Sequence, residues 1–158
     1  KVHKFFKLQR LPSKERDEKM ALPRFVVLKA TFNDKYLCYT SEDGPEHGLL
    51  RFSGNEASSP YAKFEVEMAK TSSNGKQLVH IRCCFNNKYF VFRTPDDWWI
   101  AAGADEPEED QSKWSCTLFE VLYVDGAIHP TIENAGQTIR LCHVQRGHYA
   151  CLWKVPRP

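Results

Sequence analysis

The sequence predicts an all-β domain built from three similar units of short strands. Two stretches of 14 residues repeat each other, and both carry the pattern F-N-x-K-Y, which is typical of a tight turn between strands. A third stretch matches their beginning. Apolar residues at helical spacing are scarce within residues 21–158. Three such units are predicted to close into a barrel with threefold pseudosymmetry, a β-trefoil, because closure removes exposed strand edges.

The first two units match over residues 26–39 and 79–92. These segments read VVLKATFNDKYLCY and VHIRCCFNNKYFVF, and their matching residues are 53 positions apart. Asparagine accepts the left-handed and Asx-turn geometries that tight hairpins need. Asn33 and Asn86 are therefore predicted to shape the two turns.

Each of these units ends in a matching apolar strand. The strands are YAKFEVEM, with Phe64, and SCTLFEVLYV, with Phe119, and they are 55 positions apart. The third unit begins at TIRLCHVQRGHYACLW, where Leu141 matches Leu28 and Ile81. The repeat thus accounts for almost all of the chain after residue 20.

The third unit is predicted to be shorter than the other two. Only nine residues follow Tyr149, whereas Phe64 lies 28 positions after Tyr36 and Phe119 lies 30 after Tyr89. We expect its last strands to be missing, which would leave an open barrel edge. Either the segment VHKFFKLQRL or a second copy of the chain would cover that edge. Self-association as a homodimer, or instability of the domain, is favoured over repair by this segment, because ten residues do not replace two strands and their turn.

The positive charge of the chain is concentrated at its beginning. Residues 1–19 hold seven Lys/Arg and three Asp/Glu, although the whole chain has a formal net charge of +2. Residues 1–20 are predicted to be a basic, flexible extension, and residues 21–158 to form the domain. A slightly acidic domain does not favour nucleic acid, and no apolar run reaches the roughly 20 residues that cross a bilayer. With no visible secretory signal, the expected location is cytoplasmic or nucleocytoplasmic.

The six cysteines are predicted to be reduced, buried packing groups. Cys38, Val91 and Cys151 occupy equivalent positions in the repeat, and no C-x-x-C pattern is present. A metal site is the alternative for the segment LCHVQRGHYAC, but its spacing fits no standard zinc pattern. No metal and no cofactor are therefore predicted. The ligands of that alternative site would be Cys142, His143, His148 and Cys151.

The least ordinary segment, RTPDDWWIAAGADEPEEDQSKW, runs from Arg93 to Trp114. Two acids lead directly into Trp98 and Trp99, and adjacent strand residues face opposite ways. At most one of these tryptophans can enter a core, so the other must be covered or exposed. The acidic run at residues 106–110 is predicted to be a solvated loop, with no calcium-loop spacing.

Together with KYLCYTSEDGPEHGLLRFSG and IRLCHVQRGHY, this segment resembles the amaranthin-type agglutinin family of plant lectins. The resemblance covers about residues 21–149. It implies a β-trefoil that binds N-acetylgalactosamine and Gal-β1,3-GalNAc, with the sugar lying between domains of two subunits. The positions that match the family's sugar-contacting loop are Asp97, Trp98 and Trp99.

The chemistry of galactose-type sugars suggests a role for each of these residues. An aromatic ring covers the C–H face of the sugar, and carboxylate oxygens accept from its hydroxyls. We expect Trp98 to be the surface platform, Asp97 to bind a hydroxyl, and Trp99 with Ile100 to pack towards the barrel. The alternative is that both tryptophans are buried, one in the barrel and one under the acidic loop.

Two other functions compete with non-catalytic sugar binding. A glycosidase is conceivable because Asp96, Asp97, Glu108 and Glu109 supply pairs of acids, but hydrolysis needs two separated carboxylates, one of raised pKa. Adjacent acids on a strand point to opposite sides, and no catalytic triad pattern is present. The second alternative is a protein-interaction β-trefoil that has lost sugar binding through truncation.

Overall fold

The structure is a computed structural model of the 158-residue chain. It describes residues 22–31, 33–72, 78–96, 99–123, 132–134, 137–145 and 148–149.

All regular structure in these ranges is β-strand, and the predicted all-β class is confirmed. None of the described ranges contains a helix that could cross a membrane. The strands are β1 (Phe25–Val26), β2 (Lys29–Ala30), β3 (Tyr36–Tyr39), β4 (Leu50–Gly54), β5 (Phe64–Met68), β6 (Leu78–Cys83), β7 (Tyr89–Phe92), β8 (Ile100–Ala104), β9 (Phe119–Tyr123), β10 (Ile132–Asn134), β11 (Gln137–His143) and β12 (His148–Tyr149).

The strands close into a ring with six positions. The first position is the segment 25–30, which holds β1 and β2. The next positions around the ring are β5, β6, β9, β11 and β10. The pairing of β10 with β2 closes the ring. Strands β3, β7 and β12 pair with the first strand of their respective units, β2, β6 and β11. Three equivalent units around a closed ring make a β-trefoil, as predicted.

The two predicted turns have the same geometry. The side-chain oxygen of Asn33 accepts from the Lys35 backbone N–H at 3.0 Å, and Asn86 makes the equivalent bond at 3.1 Å. These Asx-turns confirm the role of both asparagines. The left-handed conformation falls on the next residue, with φ of 64° at Asp34 and 60° at Asn87. The side-chain amide of Asn33 also donates to the Phe52 carbonyl of β4, and that of Asn86 to the Ala102 carbonyl of β8, both at 3.1 Å.

The centre of the barrel is filled by the phenylalanines that the repeat singles out. Phe64 and Phe119 are 0% and 1% exposed, and they start the F-E-V triplets of β5 and β9. Phe90 packs edge-on against both, with ring centroids 5.0 Å from Phe64 and 6.2 Å from Phe119. Because these residues come from three strands, the aromatic cluster joins the first two units.

The expected open edge is not found in the described barrel. Strand β10 lies in the sixth position, where Ile132 pairs with Ala30 of β2 and with Ile139 of β11. This strand precedes β11 and folds back on it as a hairpin, a route that the repeat does not reveal. The other proposed cover, the segment VHKFFKLQRL, lies outside the described residues, as does the chain after Tyr149. The homodimer therefore stays a prediction.

The described cysteines are free thiols, and four of them, Cys38, Cys83, Cys116 and Cys142, are buried as predicted, whereas Cys84 is partly exposed. Cys38 and Val91, which are equivalent in the repeat, are 9% and 6% exposed and pack as predicted, whereas Cys151 lies outside the described residues. Burial raises the pKa of Cys83 and Cys116, which keeps both as neutral thiols.

We expect neither a chelator nor a reductant to change the thermal stability of the domain. Both treatments should leave the melting temperature within about one degree, because buried neutral thiols are poor metal ligands and poor nucleophiles. Differential scanning calorimetry with EDTA, with dithiothreitol and with neither measures this. A fall of several degrees with EDTA alone would revive the metal alternative at Cys142, His143, His148 and Cys151.

Candidate functional site

The predicted sugar-contacting loop connects β7 to β8. Two of its three predicted residues, Asp97 and Trp98, lie outside the described residues. The third, Trp99, directly precedes β8, and its carbonyl accepts from the Arg93 backbone N–H at 3.0 Å. This bond joins the two ends of the loop, Arg93 and Trp99.

The ends of this loop differ in burial. Ile100 is partly buried and packs against the main core, in agreement with its expected inward orientation, and Trp99 is half-buried. On the other side of the loop, Thr94, Pro95 and Asp96 are exposed. The two described ends of the loop therefore differ: the first is exposed to solvent and the second is partly buried.

A second loop, residues 40–49 between β3 and β4, supports this hairpin. The Arg93 guanidinium donates to the Pro45 carbonyl at 3.2 Å, and the Ala102 N–H donates to the Gly48 carbonyl at 3.0 Å. Gly48 has a φ of 86°, which favours glycine there. Sequence reasoning missed this contact, because it joins loops of two different units.

The β3–β4 loop also carries polar groups close to this contact. His47 lies 3.3 Å from the Tyr39 hydroxyl through Nε2 and 3.3 Å from the Glu42 carbonyl through Nδ1. Glu46 pairs with Arg51 at 2.6 Å, and Asp43 is exposed. The surface of the β3–β4 loop, which contacts Arg93 and Ala102, therefore carries several groups that can bind hydroxyls.

The acidic run at residues 106–110 is not simply solvated, which corrects the expectation for Glu109. Its carboxylate accepts from the backbone N–H groups of Thr71 at 2.6 Å and Lys70 at 3.0 Å, and it lies 3.0 Å from His80 Nε2. The other ring nitrogen of His80, which is 2% exposed, lies 2.8 Å from the Thr117 hydroxyl. Glu109 thus fastens the loop to the barrel.

These contacts lower the pKa of Glu109. Burial alone raises it, but the hydrogen bonds from Thr71, His80 and Lys70 outweigh that effect and bring the pKa from 4.5 to about 2. A carboxyl group whose pKa is lower in the folded state than in the unfolded state stabilises the fold. This stabilisation is fully present when the pH is above the unfolded-state pKa. That contribution is lost as the pH falls from 4.5 towards about 2.

We therefore expect Glu109→Gln to reduce the dependence of stability on pH. At pH 7 the variant should lose about 1–3 kcal/mol of unfolding free energy, the usual cost of removing hydrogen bonds to a partly buried charge. The difference between variant and parent should shrink as the pH falls below 4.5 and be small only near pH 2. Urea unfolding between pH 2 and pH 7 tests this, with exposed Asp96→Asn as the matched control. A difference that does not change with pH would contradict the assignment to Glu109.

Two of the four acids considered for glycosidase chemistry, Glu108 and Glu109, have lowered pKa values. The pKa of Glu108 is lowered by its hydrogen bond from Lys113, and that of Asp110 by bonds from Ser112. The pKa of Glu109 is lowered as well, whereas a general acid for glycoside hydrolysis needs a raised value. Among the described residues, no group of three His, Cys, Asp or Glu side chains could hold a metal ion.

A groove of about 550 Å³ opens on another part of the surface. Phe25 and Phe85, which are 44% and 48% exposed, form two of its walls. The Lys63 ammonium lies 4.5 Å from the centre of the Phe25 ring, and Phe85 packs on Tyr61 at 4.6 Å. The groove is lined by Phe25, Val26, Val27, Ala57, Ser58, Ser59, Pro60, Lys63, Cys84 and Phe85.

The closed ring of strands defines the class of protein as a β-trefoil. The family follows from comparison with known proteins. A family model, the Agglutinin domain, matches residues 20–158, and the chain therefore belongs to the agglutinin family. The predicted resemblance is confirmed, and the family is one of carbohydrate-binding lectins that are generally non-catalytic. Comparison with curated proteins gave no match.

Proposed function

We propose that this domain binds glycans that end in N-acetylgalactosamine, including Gal-β1,3-GalNAc, and that it does so without catalysis. The observation that carries the proposal is the Agglutinin-domain match over residues 20–158. We place the site in the β7–β8 loop, at Asp97, Trp98 and Trp99. The lowered pKa values of Glu108, Glu109 and Asp110 support binding without hydrolysis.

In this proposal each loop residue has a separate role. Trp98 stacks on the C–H face of the sugar, and Asp97 accepts a hydrogen bond from one of its hydroxyls. Trp99, which is half-buried, anchors the second end of the loop. The hydrogen bond from the Arg93 N–H to the Trp99 carbonyl joins that end to the first. A loop fixed at both ends loses less conformational freedom on binding, which favours affinity.

The second wall of the site is proposed to come from another copy of the chain. The family resemblance implies a sugar between the domains of two subunits, and a homodimer would add avidity for clustered glycans. The buried free thiols, such as Cys83 and Cys116, support a location in a reducing compartment, the cytoplasm or the nucleus.

A glycan array on the full chain tests the specificity. We expect signal on glycans that end in GalNAc or Gal-β1,3-GalNAc, and competition by free N-acetylgalactosamine with a Kd of about 0.1–10 mM, since a monosaccharide buries little area. Free glucose is the control sugar. Signal that glucose removes equally well would contradict the GalNAc preference. Binding to proteins that no free sugar releases would favour a protein-interaction β-trefoil.

A further inference from the structure

The groove that Phe25 and Phe85 line lies at the junction between the first and second units. Phe25 of β1 pairs with Glu65 of β5. Leu78 of β6, which lies 53 positions after Phe25, pairs with Glu120 of β9. Phe25 and Leu78 therefore hold equivalent register positions, the first where units one and two meet and the second where units two and three meet.

Two backbone hydrogen bonds extend this equivalence to the neighbouring strands. The Cys84 N–H donates to the Lys63 carbonyl at 3.1 Å, and the Val144 N–H donates to the Leu118 carbonyl at 3.0 Å. Lys63 and Leu118 each directly precede the core phenylalanine of their unit. Lys63 therefore stands where the next junction has Leu118. By the same bond, Cys84 stands where that junction has Val144.

The second of these junctions is closed by apolar packing, whereas the first is open. Leu78 and Leu118 are 3% and 0% exposed and form one cluster with Cys116. At the first junction Phe25 is 44% exposed, and Lys63 is exposed as well. Because burying an unpaired ammonium group is costly, a lysine at this place keeps the junction open. The exchange of a leucine for a lysine thus accounts for the groove.

The groove carries one positive charge in an otherwise uncharged lining. Among the described residues that line it, Lys63 is the only charged one. Its ammonium lies 4.5 Å from the centre of the Phe25 ring, and within the described part of the chain no carboxylate pairs with it. The Arg24 guanidinium, which also lies near this ring, is paired with Glu65 at 3.1 Å. The Lys63 charge is therefore available to an anionic ligand.

The Phe85 wall of the groove is supported by two tyrosines. The Phe85 ring lies 4.6 Å from that of Tyr61 and 5.3 Å from that of Tyr39, measured between ring centroids. Tyr39 is buried, so this stack connects Phe85 to the core, although Phe85 itself is 48% exposed. A large exposed aromatic side chain beside an open groove is typical of a binding site.

We propose that this groove binds a small carboxylic acid with a flat aromatic body, at a site separate from the sugar loop. The carboxylate pairs with the Lys63 ammonium, and the aromatic body packs against Phe85 and Phe25. The volume of about 550 Å³ lies within the range of roughly 300–1,000 Å³ that is usual for small-molecule sites. One charge in a concave apolar lining fits a small molecule better than a protein, since a protein interface needs roughly 1,200–2,000 Å² of buried surface.

Titration of the full chain with 2-naphthoate tests this site, and 2-naphthamide is the matched uncharged probe. The acid should bind with a Kd of about 0.1–1 mM, the range expected for a ligand of this size. The amide should bind at least about threefold more weakly, because the Lys63 ammonium attracts only the charged probe. Saturation-transfer NMR at pH 7 measures both affinities. Equal affinities of acid and amide would overturn the proposal, as would displacement of 2-naphthoate by free N-acetylgalactosamine.

Three variants separate the charge from the aromatic wall. Lys63→Met keeps a long side chain without the charge, so it should weaken 2-naphthoate at least about threefold and leave 2-naphthamide unchanged. Lys113→Met, on the acidic loop, removes a charge elsewhere and should change neither affinity. Phe85→Ala should weaken both probes.

Two further results would contradict the assignment to this groove. The first is a 2-naphthoate affinity that Lys63→Met leaves unchanged. The second is the absence of 2-naphthoate binding to the parent at about 10 mM, well above the expected Kd. If Phe85→Ala then also converts a dimer to a monomer, the groove is a contact between copies of the chain rather than a small-molecule site.

Discussion

Replacing Trp98 with alanine is expected to abolish retention of the domain on immobilised N-acetylgalactosamine. An aromatic ring that stacks on the sugar supplies most of the apolar contact of a small site, and its removal should weaken binding by about 1.4 kcal/mol or more, tenfold in Kd. From a starting Kd of about 0.1–10 mM, a tenfold loss gives a Kd of about 1–100 mM, and a larger loss removes retention altogether. The melting temperature should stay within a few degrees, because a surface platform contributes little to the core.

Phe85→Ala is the matched control for this experiment. Phe85 is also an exposed aromatic residue, 48% accessible, but it lies on the wall of the separate groove beside Lys63. Its removal should leave retention on N-acetylgalactosamine intact. If Phe85→Ala loses retention and Trp98→Ala keeps it, the sugar lies in the groove and the loop assignment is wrong. An unfolded Trp98→Ala protein would show instead that both tryptophans are structural.

The largest loss of stability is expected for Phe119→Ala. This side chain is 1% exposed, and its ring lies 5.1 Å from that of His143 and 6.2 Å from that of Phe90. Removing a buried phenylalanine costs about 3–5 kcal/mol, from both lost burial and the cavity left behind. Since domains have only about 5–15 kcal/mol of unfolding free energy, the variant should be largely destabilised or unfolded.

Urea unfolding followed by tryptophan fluorescence measures this loss. Phe85→Ala again serves as the control, because it removes the same side chain from an exposed site and should cost less than about 1 kcal/mol. Equal destabilisation by the two variants would contradict the placement of Phe119 at the centre of the barrel.

Contacts between distant segments were decided by the tertiary structure alone. Glu109 belongs to an acidic run whose composition is typical of a solvated loop, yet its carboxylate binds the N–H groups of Lys70 and Thr71 and lies beside His80. No spacing in the sequence relates residues that lie 29 and 38 positions apart in this way. The sequence did not predict the closing role of β10 either, because that role depends on which segment pairs with both β2 and β11.

The sequence by itself determined the strand content, the two Asx-turns and the core phenylalanines. Each of these follows from local chemistry: alternation along a strand, the side-chain oxygen of Asn33 or Asn86, and a repeat that returns Phe64 and Phe119 to equivalent places. The tertiary structure decided that the β3–β4 loop contacts the β7–β8 hairpin, that Glu109 is partly buried, and that β10 closes the barrel. These features depend on packing between the units. Local sequence patterns do not show which residues that are far apart in the chain come into contact in the folded domain.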